Sequence, residues 1–275
     1  EGMIEITKLS FDYTKRLEKI GIKAKAFSPI SPFISTYYNY RDHRKIVVID
    51  GVVGMTGGVN LADEYINHIE LFGHWKDSGI MLKGKAVDSF LLLFLQMWSI
   101  TEEKMLVAPY LGVHDDLVEN EGYVIPYGDS PLDTDKVGEN VYIDILNHAR
   151  EYVYIMTPYL ILDSELEHAI QFAAERGVDV RIIMPGIPDK PIPYALAKTY
   201  YQALTKSGVK IYEYTPGFVH SKIFLSDNTK AVVGTINLDY RSLYHHFECA
   251  VYLYKVDAIQ DIYRDYMDTL NKSRL

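Results

Sequence analysis

One cysteine, two tryptophans and no long apolar run set the first limits on this 275-residue chain. Cys249 has no partner for an intrachain disulfide, so the chain fits a reducing compartment or a fold with no need of bridges. A Cys-rich structural zinc site is excluded for the same reason. The best apolar run, Phe90 to Leu95 continued by Met97, Trp98 and Ile100, has about half of the roughly 20 residues that a membrane-crossing helix needs, and it reads as a buried helix. Basic residues are the minority: 28 Lys and Arg stand against 37 Asp and Glu, a net charge of −9 that argues against a general nucleic-acid binder. Tyrosine, by contrast, is abundant at 23 residues. Its apolar ring and polar tip suit a membrane interface, and equally an ordinary sheet core. With 48% apolar and 24% charged residues the chain is globular, long enough for one large domain or two of ordinary size.

The chain carries one pattern twice. His43-Arg44-Lys45, Asp50 and Gly57-Gly58-Val59-Asn60-Leu61 are matched by His220-Ser221-Lys222, Asp227 and Gly234-Thr235-Ile236-Asn237-Leu238. Every matched residue is displaced by 177 (220 − 43, 222 − 45, 227 − 50, 234 − 57, 237 − 60). Five polar and glycine matches in one register are not expected by chance. The segments upstream also correspond: Gly21-Ile22-Lys23 running to Phe27-Ser28-Pro29 parallels Gly208-Val209-Lys210 running to Tyr214-Thr215-Pro216. The first copy has extra residues between Pro29 and Arg41, where Phe33, Tyr37, Tyr38 and Tyr40 form an aromatic loop.

The local composition predicts strands over His43–Ile49 and His220–Leu225, with returning strands at Val52–Met55 and Ala231–Val233. Residues i and i+2 of a strand share a face, so each His is expected to project beside its Lys. Ahead of the second dyad, helices near Val141–Ala149 and Ser164–Arg176 alternate with strands at Val153–Met156 and Val178–Met184, which predicts a largely parallel sheet. Ser164 with Glu167 reads as a capping box, and Arg176-Gly177 as a helix stop. The first dyad has only 42 residues before it, so the repeat predicts an incomplete first lobe, with roughly fifty residues of its counterpart lying upstream. The division expected is 1–121 and 122–275.

Two His, two Lys and two Asn are the parts needed to cleave a phosphodiester without metal. One neutral imidazole attacks phosphorus, the other imidazolium protonates the leaving alkoxide, and fixed donors hold the phosphoryl oxygens. Lys45 and Lys222 supply charge, and Asn60 and Asn237 supply amide donors. Each His also needs an acceptor on its other ring nitrogen. Glu248, in the strand-like Phe247–Tyr252, is the candidate for His220; Asp77, with Glu70 behind it, is the candidate for His43. Asp50 and Asp227 complete the motif, but at strand ends before turns they read as structural. His68, His74, His114, His148, His168, His245 and His246 have no counterpart in the repeat and read as surface or helix-face residues.

These residues resemble the phospholipase D superfamily, and within it the bacterial cardiolipin synthases. The superfamily motif, His-x-Lys-x4-Asp followed by Gly-Gly or Gly-Ser and Asn, is met at His43, Lys45, Asp50, Gly57, Gly58 and Asn60, and again at His220, Lys222, Asp227, Gly234, Thr235 and Asn237, with Thr235 in the Ser position. The narrower resemblance rests on Asn39–Gly51, Thr56–Tyr65, Gly73–Asp77 and Gly234–Glu248. It implies an α/β fold of two pseudo-symmetric lobes with the motif residues, aspartates included, at their interface. It further implies transfer of a phosphatidyl group between two phosphatidylglycerol molecules to give cardiolipin and glycerol, through a phosphohistidine on His43 with His220 as the acid. The implied setting is a bacterial membrane, with N-terminal anchoring helices in the full-length protein. No cofactor, metal or nucleic acid is expected. The rival readings are a phospholipase D that uses water as acceptor, another phosphatidyltransferase such as a phosphatidylserine synthase, and a catalytically inert lipid-binding module.

Overall fold

The computed structural model describes residues 9–28, 39–102, 108–113 and 121–275. Most of the aromatic loop, including Phe33, Tyr37 and Tyr38, lies outside the described residues, as does His114. The strands are β1 (Arg41–Asp42), β2 (Ile46–Ile49), β3 (Val53–Gly57), β4 (His74–Lys76) and β5 (Gly79–Lys83). They continue with β6 (Tyr123–Asp129), β7 (Tyr152–Met156), β8 (Asp179–Pro185), β9 (Lys210–Tyr214) and β10 (Gly217–Val219). The last are β11 (Ile223–Ser226), β12 (Lys230–Gly234), β13 (His246–Tyr254) and β14 (Ser273–Arg274).

The main sheet runs β1-β13-β12-β11-β7-β8-β9-β14, with β6 also on β13. It is mixed, and the parallel part is smaller than the strand–helix alternation predicts. Parallel pairing joins β7 to β8 and β8 to β9, where helices make the crossovers, and the short β1 to β13. The strands around the second dyad are antiparallel, and a tight turn joins β11 to β12. A three-stranded sheet, β2-β3-β5, carries the first dyad's returning strand, and β10 pairs with β4 in a two-stranded sheet.

Strand parity sorts the core into two layers. Val153 and Ile155 of β7 face a cluster with Tyr142, Leu146, Leu166 and Leu204, from helices Val137–His148, Ser164–Glu175 and Pro191–Lys206. Tyr152, Tyr154 and Met156 face the other way, toward Val87 and Phe90 of helix Val87–Trp98 and toward Ile259 and Tyr266 of helix Ala258–Leu270. The three-stranded sheet packs on this second face through Ile46, Val48 and Leu82. The tyrosine excess goes largely into these layers: Tyr142, Tyr214 and Tyr266 are fully buried. The apolar run is a helix buried along one side, at Val87, Phe90 and Leu95, with Phe94 exposed. Among the described residues no helix is long and apolar enough to cross a membrane.

Two local readings change. Helix Ser164–Glu175 is capped by Asp163, whose carboxylate accepts from the Leu166 N–H at 2.8 Å, and not by Ser164. The helix ends as expected, with Gly177 left-handed at φ +91°. The dyads themselves are not inside strands: residues 43–45 bridge β1 and β2, and residues 220–222 bridge β10 and β11. In each copy the chain leaves one sheet and enters another at the His-x-Lys segment, so the ladder bonding is broken where the chemistry is placed.

Both hairpins after the dyads turn on their motif aspartate. Asp50 (φ +53°) with Gly51 (φ +70°), and Asp227 (φ +52°) with Asn228 (φ +53°), form turns with two left-handed central residues, the kind that matches strand twist. The Asp227 carboxylate accepts from the backbone N–H groups of Arg150, Glu151 and Tyr152 at 2.9, 3.0 and 2.9 Å, tying the turn to the start of β7. Asp227→Asn leaves one acceptor oxygen for these donors and is expected to lower stability by about 1–2 kcal/mol, read as a shift in urea midpoint with an unchanged folded-state spectrum. An unaltered midpoint would show that the three bonds add nothing.

Candidate active site

Two parallel strand contacts assemble the site. Arg41 and Asp42 of β1 pair with His246 and Phe247 of β13, so the next residue, His43, arrives beside Glu248, its N–H donating to the Phe247 carbonyl at 2.9 Å. Gly217, Phe218 and Val219 of β10 pair with His74, Trp75 and Lys76 of β4, so His220 arrives beside Asp77, its N–H donating to the Lys76 carbonyl at 2.7 Å. In both copies the histidine is the residue that follows the last pair of the ladder.

The pairing is crossed relative to the sequence expectation. His43 Nδ1 lies 2.9 Å from both Glu248 carboxylate oxygens, and His220 Nδ1 lies 2.8 Å from Asp77 Oδ2. Each copy's acid therefore holds the other copy's histidine. Assigning Glu248 to His220 and Asp77 to His43 assumed pairing within a copy; the parallel contacts of β1 with β13 and of β4 with β10 run between copies and exchange the partners. In both pairs Nδ1 is committed to a carboxylate, which leaves Nε2 for chemistry.

Both carboxylates are themselves fixed. Glu248, fully buried, accepts from the Thr235 hydroxyl and from Ser242 Oγ at 2.7 Å. Asp77 Oδ1 accepts from the Ser78 N–H at 2.8 Å. Lys45 and Lys222 each donate from Nζ to the carbonyl of their own histidine, which turns the ammonium back toward the dyad. Asn60 donates to the Tyr65 hydroxyl at 2.6 Å, while the side-chain oxygen of buried Asn237 has no hydrogen-bond partner. Gly58 has no room for a side chain, since a Cβ there would stand 2.0 Å from Asp77 Oδ1 and 2.8 Å from the His220 carbonyl. At Gly57 a Cβ would meet the Ser78 carbonyl at 2.3 Å, and at Gly234 it would meet the Ala250 Cβ at 2.4 Å.

Burial and mutual charge set the proton affinities. Burial of His220, 6% exposed, together with the Lys222 charge pushes its pKa down to about 3, against the upward pull of Asp77. Burial and the Lys45 charge also lower His43, while Glu248 pulls it up. Lys222, fully enclosed, is pushed down to about 7 by burial and by Lys45. Burial works to raise the Asp77 carboxyl, but the hydrogen bond from His220 and the charge of Lys222 hold it below the usual carboxylate range. Glu248 is likewise held low against burial, by His43, His246 and Lys45. Lys45 acts on Asp77 and Lys222 on Glu248, so the two copies share one electrostatic site.

Several contributors lack a signal in the repeat. Tyr65 sits edge-on to the His220 ring at 5.3 Å between centroids, and Trp75 lies 5.2 Å from it. Phe218, at 5.9 Å, completes an aromatic wall that excludes water from His220. Ser242 has no motif to announce it. His246 is neither on the surface nor on a helix: it lies on β13, two residues before Glu248, with its ring 5.2 Å from that of His43. His74, assigned to the surface, is exposed on β4, with its Nδ1 3.0 Å from the Tyr214 hydroxyl. Asp50 and Asp227 sit at the far ends of β2 and β11, away from the imidazoles.

Paired His–Lys dyads joined across two sheets by carboxylates, on this mixed α/β scaffold, define a phospholipase D-like fold. The solved phosphatidylserine synthase of Haemophilus influenzae Rd KW20 aligns with a TM-score of 0.63 and 17% identity, over 85% of this chain and 63% of that one. Residues 142–270 match the family model described as "Cardiolipin synthase, PLD-like domain". It is similar to the cardiolipin synthase of Alkalihalophilus pseudofirmus, 38% identical over 268 residues, which span 97% of this chain and 53% of that protein. An uncharacterized protein of Streptococcus mutans is 70% identical over the whole chain, which covers 59% of its length. The chain thus spans a little over half the length of both relatives.

A histidine kept neutral by burial costs stability in acid. Between the ordinary value of 6.5 and the lowered value of about 3, the unfolded chain binds a proton that folded His220 does not, so stability is present above 6.5 and falls as the pH drops. The urea midpoint is expected to fall between pH 7 and 4.5, and to fall less steeply in His220→Asn. Equal slopes would remove His220 from this account.

Proposed function

We propose that the protein is a phosphatidyltransferase that condenses two phosphatidylglycerol molecules into cardiolipin and glycerol. The observation that carries the reading is the pair of imidazoles with Nδ1 held by a carboxylate and Nε2 left available, each beside the lysine of its own copy. In the first half-reaction His43 Nε2 attacks the phosphorus of one phosphatidylglycerol. The bond from phosphorus to the glycerol oxygen breaks, and His220 Nε2 gives its proton to the departing alkoxide. In the second, His220 takes the proton from the terminal hydroxyl of another phosphatidylglycerol, whose oxygen attacks the phosphohistidine and frees His43. The arriving phosphodiester is an anion, and its charge offsets the lysines that depress His220, so substrate binding favours the protonated acid. Lys45, Lys222, Asn60 and Asn237 hold the phosphoryl oxygens as charge develops.

Two surface features support an amphipathic substrate at a membrane. A cavity of about 660 Å³ beside the first dyad is lined by Phe27, Phe94, Trp98 and Phe247, with Lys25 and Arg44 among its walls. The segment after Asn60 exposes Leu61, Ile66 and Leu71, apolar groups suited to a lipid surface. In this reading 1–121 and 122–275 are the two lobes that share the site, and the setting is the bacterial membrane.

Phosphatidylglycerol vesicles incubated with the protein and analysed by mass spectrometry are expected to yield cardiolipin and glycerol, with turnover lost in both His43→Ala and His220→Ala. Phosphatidic acid as the sole product would make water the acceptor and the protein a hydrolase. Cardiolipin formed by either variant would overturn the two-histidine assignment.

A further inference from the structure

Glu248 is shared by two histidines. Its Oε1 lies 2.9 Å from His43 Nδ1 and 3.4 Å from His246 Nδ1. The His246 Nδ1 is buried and makes no hydrogen bond among the described residues, although its ring stands beside the carboxylate. One nitrogen from each imidazole and one carboxylate oxygen gather within 4.8 Å of one another. Tetrahedral zinc, with bonds of about 2.0–2.2 Å, requires ligand atoms ~3.3 Å apart, so the two measured separations already approach those of a coordination shell. Two imidazoles and one carboxylate leave a fourth position, and the His43 side chain, 23% exposed, opens the cluster to solvent. The other group with metal-ligand spacing, Glu139, Asp163 and Glu165, already has a cation in the Lys136 ammonium, 3.6 Å from Glu139 and 3.7 Å from Glu165.

We propose that His43, His246 and Glu248 form a binding site for zinc or a similar borderline transition-metal cation, and that its occupancy switches the dyad off. Metal binding rests on the geometry alone; the inhibition rests on the role of His43 given above. Neutral His43 in its working form carries its proton on Nδ1, facing Glu248, and its lone pair on Nε2. When the cation takes Nδ1, the N–H···O bond to Glu248 is replaced by bonds from nitrogen and oxygen to the metal, and the imidazole proton moves to Nε2. The atom that attacks phosphorus then has no lone pair to offer. His246 is the ligand that makes this possible, because His43 and Glu248 by themselves form only an imidazole–carboxylate pair. The site is inhibitory and not required for turnover, which is consistent with a metal-free reaction.

The test is a calorimetric titration of the full chain with zinc chloride in non-chelating buffer without lipid, with cobalt(II) as a spectroscopic substitute. One equivalent is expected to bind, cobalt giving the intense visible band of a tetrahedral site, and binding is expected to weaken by about tenfold or more in H246N and in H43N. In the phosphatidylglycerol assay zinc is expected to inhibit the unsubstituted protein reversibly with EDTA, and the inhibitory concentration is expected to rise in H246N by the factor seen in binding. Circular dichroism checks that each variant is folded; H43N supplies the binding comparison if H246N is not. Absence of zinc binding, an octahedral cobalt spectrum, or equal affinity in the folded variants would overturn the site. Stoichiometric zinc binding in a protein that never forms cardiolipin would support the site while overturning the catalytic reading.

Discussion

The crossed histidine–carboxylate pairs are the interaction on which the rest of the site depends. A histidine that must present Nε2 needs its other nitrogen occupied by an acceptor that does not move. Here the acceptors are placed by backbone register: two short parallel strands, β1 on β13 and β10 on β4, bring His43 to Glu248 and His220 to Asp77 at the same step beyond the last paired residue. Because each bond joins the two copies, neither copy has a completed histidine by itself. The geometry of the histidines is therefore a property of the contact between the copies: separating β1 from β13 removes the acceptor of His43, and separating β10 from β4 removes that of His220.

Burying so many ionisable groups is tolerable only because they compensate one another. Two lysines, two imidazoles and two carboxylates share a volume in which water is displaced by Tyr65, Trp75 and Phe218. The ammonium groups lower the imidazoles, the carboxylates pull them back, and the hydroxyls of Thr235 and Ser242 satisfy oxygens of Glu248 that the imidazole leaves open. Under the proposed function, a phosphodiester entering this site meets donors already oriented toward it, so little reorganisation is left for the chemical step. The buried His246 Nδ1, which faces Glu248 without a hydrogen-bond partner among the described residues, is what suits the cluster to the proposed cation.

Position within the repeat separates chemical from structural conservation of pattern between the copies. Gly57 and Gly234 recur because neighbouring backbone and side chains occupy the place of a Cβ, and Asp50 and Asp227 recur because both hairpins need a left-handed turn. The Asp227 carboxylate adds three bonds to the start of β7, which makes it a strut of the sheet that carries His220.

Much of this was legible from the chain alone. The 177-residue register identified both dyads, both asparagines and the turn aspartates, because covalent spacing along a hairpin is a local property that sequence records directly. Elements of the second half, such as β7, β8 and helix Ser164–Glu175, followed from apolar periodicity for the same reason. Which carboxylate meets which histidine was decided only by tertiary structure. The two candidates lie 143 and 205 residues from the histidines they hold, and no spacing rule reports a parallel strand contact between distant segments. Nor could composition distinguish His246 from six other unrepeated histidines. Its meaning comes from its ring standing 5.2 Å from that of His43, a distance created by the pairing of β13 with β1.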